Sequence, residues 1–186
     1  MYFLKSISDD VQFAQLEFRK HTKTKRLIFG SILACMAAVL QATGGYLPGL
    51  GYLISPFATQ PILICAMFSL PIGVMSYFLT ILLLLILQPS ELIVFPFTTG
   101  LLGIGIGAAF SFFGKRLSII CVGAVSLFIG IMILLYVFHF PVLGPTVSDS
   151  FSFLITGSVS LFAFLYSMLW VELALFFFKR LKSIIT

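Results

Sequence analysis

The chain contains no asparagine, a single tryptophan, two histidines and three cysteines in 186 residues. Charge is scarce as well. Only 9% of residues are charged, six of them acidic, against about 25% in a soluble domain. With a mean hydropathy of +1.17, this excludes an ordinary soluble fold and implies an integral membrane protein. Glu91, Asp149 and Glu172 are spread over three segments, and no pair of carboxylates stands at helical spacing. No HExxH, GxSxG or Walker pattern occurs. The sequence therefore offers no catalytic residue, and we read it as a non-enzyme. Cys35, Cys65 and Cys121 lie far apart in apolar stretches. They read as small packing residues, not as metal ligands or a disulfide framework, and no cofactor or metal is expected.

What is present is apolar and continuous. Runs such as Ile81 to Leu87 (ILLLLIL) lack the alternation of an outer-membrane barrel, so the spans are helices, which satisfy their own backbone in lipid. Almost all the Lys and Arg fall in three clusters: residues 19–26, Lys115/Arg116, and Lys179/Arg180/Lys182. Clusters of this kind mark topology rather than nucleic-acid binding. Pro61 to Gln88 is too long for one span of roughly 20 residues, and Pro71 and Gly73 interrupt it. Split by a turn near Ser69 to Gly73, it places all three basic clusters on one side, as the positive-inside rule favours. The expected fold is all-α, an integral membrane bundle of six transmembrane helices with both termini cytoplasmic. The helices fall at roughly 27–43, 57–70, 72–88, 92–113, 118–138 and 152–178. Residues 1–26 form a cytoplasmic N-terminal segment, read as an interfacial helix or a flexible tail. Residues 27–186 form one transmembrane domain.

Within this frame, Gly30, Ala34, Ala38 and Ala42 recur every four residues in the first helix. Such a small-residue face lets another helix approach to backbone distance. It serves either docking of a partner or packing within the bundle. The uncharged, Gly/Pro-rich stretch 43–61 reads as a loop folded over the outer face. Helix 4 starts with Pro96 in its first turns, followed by Thr98 and Thr99, and carries a Gly103/Gly107 pair. Its G-x-G-x-G run is not a nucleotide loop, because no strand precedes it and it lies inside a span. Glu172 is the one ionisable residue well inside a span. It serves either a structural pairing with Lys115 or Arg116, or coupling and proton work. A polar and aromatic set gathers towards the outer side: Tyr46, Tyr52, Gln60, Thr98, Thr99, Tyr136, His139 and Thr156, with Glu91 beside them. An apolar pocket with a few convergent polar groups is what a small-molecule site needs.

With these residues in view, the chain resembles a substrate-binding (S) component of energy-coupling factor (ECF) vitamin transporters. The likeness rests on size, six helices, the Ala34-x-x-x-Ala38 pattern extended to Ala42, and the stretch Phe95-Pro-Phe-Thr-Thr-Gly-Leu-Leu-Gly, and spans about residues 27–182. It implies a bacterial plasma-membrane subunit that binds a vitamin or precursor in its outer half. It also implies partners: a transmembrane coupling subunit met through Ala34, Ala38 and Ala42, and ATPase subunits that drive release inside. The missing asparagine and sparse outward charge point away from a strongly charged ligand and towards hydrogen bonding and stacking, as on a pyrimidine ring. The competing reading is a membrane assembly or scaffold protein without a small-molecule ligand.

Overall fold

Ser69 decides the number of spans. Its extended backbone (φ −159°, ψ 108°) ends one helix and begins the next. Pro71 falls in the first turn of the new helix, where a missing N–H costs nothing. The computed structural model describes residues 8–47, 49–140 and 153–185. Among them the helices are α1 (Ser8–Lys20), α2 (Lys23–Tyr46), α3 (Gly51–Ile54), α4 (Thr59–Phe68), α5 (Leu70–Leu87), α6 (Glu91–Phe97), α7 (Thr99–Phe112), α8 (Arg116–Tyr136) and α9 (Phe153–Ile185), with a 3₁₀ turn over Ser55–Ala58. Six stretches are long and apolar enough to cross a membrane: α2, α3 through α4, α5, α6 with α7, α8, and α9. The protein is a multi-pass, all-α membrane bundle.

The middle of the bundle is α4. All ten of its residues are buried, and it packs against α1, α2, α5, α7 and α9. A helix that is apolar all round belongs inside other helices, and TQPILICAMF has no outward polar face to offer. The neighbours come close because they are small where they meet it. A Cβ on Gly73 of α5 would lie 2.4 Å from the Ala66 Cα, and one on Gly107 of α7 would lie 2.4 Å from the Ala66 Cβ. A Cβ on Gly103 would stand 3.0 Å from the Thr59 carbonyl. The GxxxG pair of α7 is thus the α4–α7 seam, a packing device of apolar interiors.

Three expectations change. The stretch 43–61 is not an open loop: α2 continues to Tyr46, and helix resumes at Gly51. Gly51 donates its N–H to the Leu47 carbonyl (2.7 Å), which keeps the backbone satisfied where water is scarce. The fourth span is not one helix. It breaks at Thr98 (φ −117°, ψ −96°), because Pro96 supplies no amide to the ladder. Lastly, the small face of α2 is covered. Gly30, Ala34, Ala38 and Ala42 are all buried. Two hydroxyls of α5 reach the α2 backbone beneath them: Ser76 donates to the Gly30 carbonyl (2.9 Å), and the Thr80 Oγ1 lies 3.2 Å from that of Ala34. The Ser76 bond is of an interhelical type worth about 1 kcal/mol in a bilayer; Thr80 also donates to the Ser76 carbonyl of its own helix (2.8 Å). The face expected to dock a partner is, in this arrangement, internal packing.

At the basic end, α1 lies against α4, α7 and α9 through Val11, Ala14 and Phe18. Gln15 donates its amide to the Met67 carbonyl at the end of α4 (2.8 Å), satisfying a helix-terminal acceptor. Leu16, on the same helix, is exposed. Nearby, Arg116 Nη1 stands 3.0 Å from Glu172 Oε1. Glu172 has the structural partner that its position requires.

Candidate functional site

A cavity of about 650 Å³ opens at the end of the bundle away from the basic clusters. Five segments wall it. The end of α2 gives Gln41, Gly44 and Gly45, and the next span gives Tyr52, Ser55 and Pro56. The fourth span gives Ser90, Glu91, Val94, Thr98 and Thr99, with Leu127, Ile131 and Phe140 from α8 and its end, and Phe162 and Tyr166 from α9. Its volume lies in the usual range for small-molecule sites.

The polar floor is one chain of hydrogen bonds. Thr99 Oγ1 donates to Gln41 Oε1 (2.7 Å), and Gln41 Nε2 donates to Glu91 Oε2 (2.8 Å). Gln41 is 1% exposed, so its amide is spent on holding these two groups in register. The other carboxylate oxygen, Glu91 Oε1, lies over Gly44, where a Cβ would stand 2.9 Å from it. A side chain at residue 44 would displace the carboxylate. The break at Thr98 makes the geometry possible. Thr98 Oγ1 donates back to the Val94 carbonyl (2.7 Å), and α7 then starts with the Thr99 hydroxyl turned towards α2. On the other side, a Cβ on Gly130 of α8 would sit 1.7 Å from the Phe97 carbonyl oxygen, so only glycine lets α8 lie against the break.

The aromatic wall is built differently. Phe162 and Tyr166, one turn apart on α9, stack with centroids 5.3 Å apart and planes 20° apart. Phe140 reaches the cavity because His139 takes a left-handed backbone (φ 51°) and turns the chain after α8, with Phe140 donating its N–H to the Leu134 carbonyl (2.9 Å). His139 acts here through its backbone, and its side chain is exposed.

Of the eight residues expected to bind ligand, Tyr52, Thr98 and Thr99 line this cavity together; Tyr46, Gln60, Tyr136, His139 and Thr156 do not. Tyr46 instead donates its hydroxyl to the Leu87 carbonyl. Gln60 is buried in the first turn of α4. The expected start of the last span, at residue 152, lies outside the described residues. The central residue, Gln41, was absent from the expected site. Its signal was a lone amide in an otherwise apolar helix, which in a membrane marks a polar contact.

No protein-family model matches the chain, and neither does any curated protein or solved structure. The functional reading therefore stands on the cavity.

Proposed function

We propose that this protein is the substrate-binding subunit of an ECF-type uptake system. It captures a vitamin or vitamin precursor from the outer side of a bacterial plasma membrane and passes it inward with ATP-driven partners. The observation that carries the reading is the cavity itself, a drug-sized hollow with a rigid polar floor and an aromatic wall, at the end opposite the basic clusters. The positive-inside rule makes that end the outer one. A scaffold has no need of a buried amide dedicated to holding a carboxylate at the floor of an open hollow. Because the alanine face of α2 is packed under α5, a coupling subunit would meet another surface of the bundle.

The test is partner content. The tagged protein, extracted in a mild detergent from native membranes, is expected to retain a transmembrane coupling protein and an ATP-hydrolysing subunit, identified by protein mass spectrometry. Recovery with neither, or only with partners unrelated to nucleotide hydrolysis, would favour the scaffold reading instead.

A further inference from the structure

No cation among the described residues pairs with the Glu91 carboxylate. Among the described residues the ion pairs are Lys20–Glu17 and Arg116–Glu172, and neither involves it. The sequence explains why. No Lys or Arg occurs between residues 27 and 114 or between 117 and 178. The described Lys and Arg side chains therefore belong to the opposite end, and His139 is the one titratable base at the cavity end among the described residues. Gln41 is the sole hydrogen-bond donor to the Glu91 side chain among the described residues, through Oε2; Oε1 lies beside Gly44, and both residues line the cavity. A carboxylate in a partly apolar hollow, without a cation, makes the hollow negative and focuses that field towards its mouth.

We infer that the cavity is built for a compact organic cation. This rests on the proposed binding function and names its ligand class. Three features converge on it. Glu91 supplies the charge, fixed in place by Gln41 and Thr99. Tyr52, Phe140, Phe162 and Tyr166 line the same space, and aromatic faces attract a weakly hydrated cation such as a quaternary or protonated amine. A bare metal ion does not fit, because hard cations need about six oxygen ligands, and among the described residues no three His, Cys, Asp or Glu side chains group together. The weakly charged ligand expected from the sparse outward charge is thereby revised. One charge is enough when nothing opposes it.

The test reads the sign of the cavity and its selectivity together. Val94 lies one turn from Glu91 on α6 and lines the cavity. A Val94→Cys variant, with the exposed Cys35 and Cys121 changed to alanine, is treated with a cationic (trimethylammonium-ethyl) and an anionic (sulfonatoethyl) methanethiosulfonate. Relative to a free thiol, the cationic reagent is expected to react about tenfold faster than the anionic one, and Glu91→Gln should remove that preference. Choline should protect Cys at residue 94, and its neutral isostere 3,3-dimethylbutan-1-ol should not. If Glu91→Gln leaves the preference unchanged, or if the neutral isostere protects as well as choline, the cation inference fails while the binding reading stands. If neither reagent reaches the thiol, there is no accessible cavity, and both fail.

Discussion

Gly73→Ala is expected to unfold the bundle or to leave it melting far below the parent. The added Cβ would lie 2.4 Å from the Ala66 Cα and 2.7 Å from its backbone nitrogen. These are backbone atoms of the central helix, so no rotamer change relieves the contact. Overpacking a tight core costs typically 1–3 kcal/mol and more where backbone must move. At about 2–4 °C per kcal/mol for a chain of this length, a loss of about 10 °C is expected in a detergent melting curve. Gly157→Ala supplies the control, because nothing lies within 4 Å of a Cβ there, and its melting temperature should match the parent within about 1 °C. Equal melting of the two variants would mean that α5 does not lie against α4 as described.

The second large effect is on the site. Gln41→Ala removes both ends of the polar floor at once, leaving Thr99 without its acceptor and Glu91 without its donor. Orphaned buried polar groups cost about 1–3 kcal/mol each; Thr99 is buried and Glu91 only half-buried, so a loss in the lower part of the two-group range, about 2–4 kcal/mol, is expected. Ligand affinity should fall more than tenfold as the carboxylate loses its fixed position. Gln41→Met separates shape from bonding. It keeps the volume and lacks the amide, so it should recover much of the stability and little of the binding. Recovery of full ligand affinity by Gln41→Met would show that the Thr99–Gln41–Glu91 chain does not position the site.

The two effects follow from features that differ in how openly the sequence shows them. Hydropathy and the three basic clusters show six spans, and Pro71 with Gly73 marks the turn that the structure places at Ser69. These signals are local, and the bilayer imposes them span by span. Which face of α2 is covered is not local. A small-residue stripe looks the same whether a partner or a neighbouring helix lies on it. The deciding signal was on another helix: Ser76 and Thr80, four residues apart in the apolar α5, place two hydroxyls on one face aimed at α2. The break at Thr98 was half-visible, since Pro96 was read as a tolerated first-turn proline while its effect falls two residues on. Tyr52, Thr98 and Thr99, which line the cavity, stand out in the sequence as polar groups near the outer ends of spans. Gln41 and Glu91 become partners only when α2 and α6 are brought side by side, across 50 residues of chain.

The central claim is that the cavity holds a small molecule. It is tested most directly by small-molecule mass spectrometry on protein overexpressed without partners and purified in mild detergent. The parent is compared with Val94→Trp, whose indole would intrude on the cavity one turn from Glu91. The account predicts a compound enriched at near-stoichiometric amount in the parent and absent from Val94→Trp. Equal small-molecule content in the two proteins, with both folded, would contradict it.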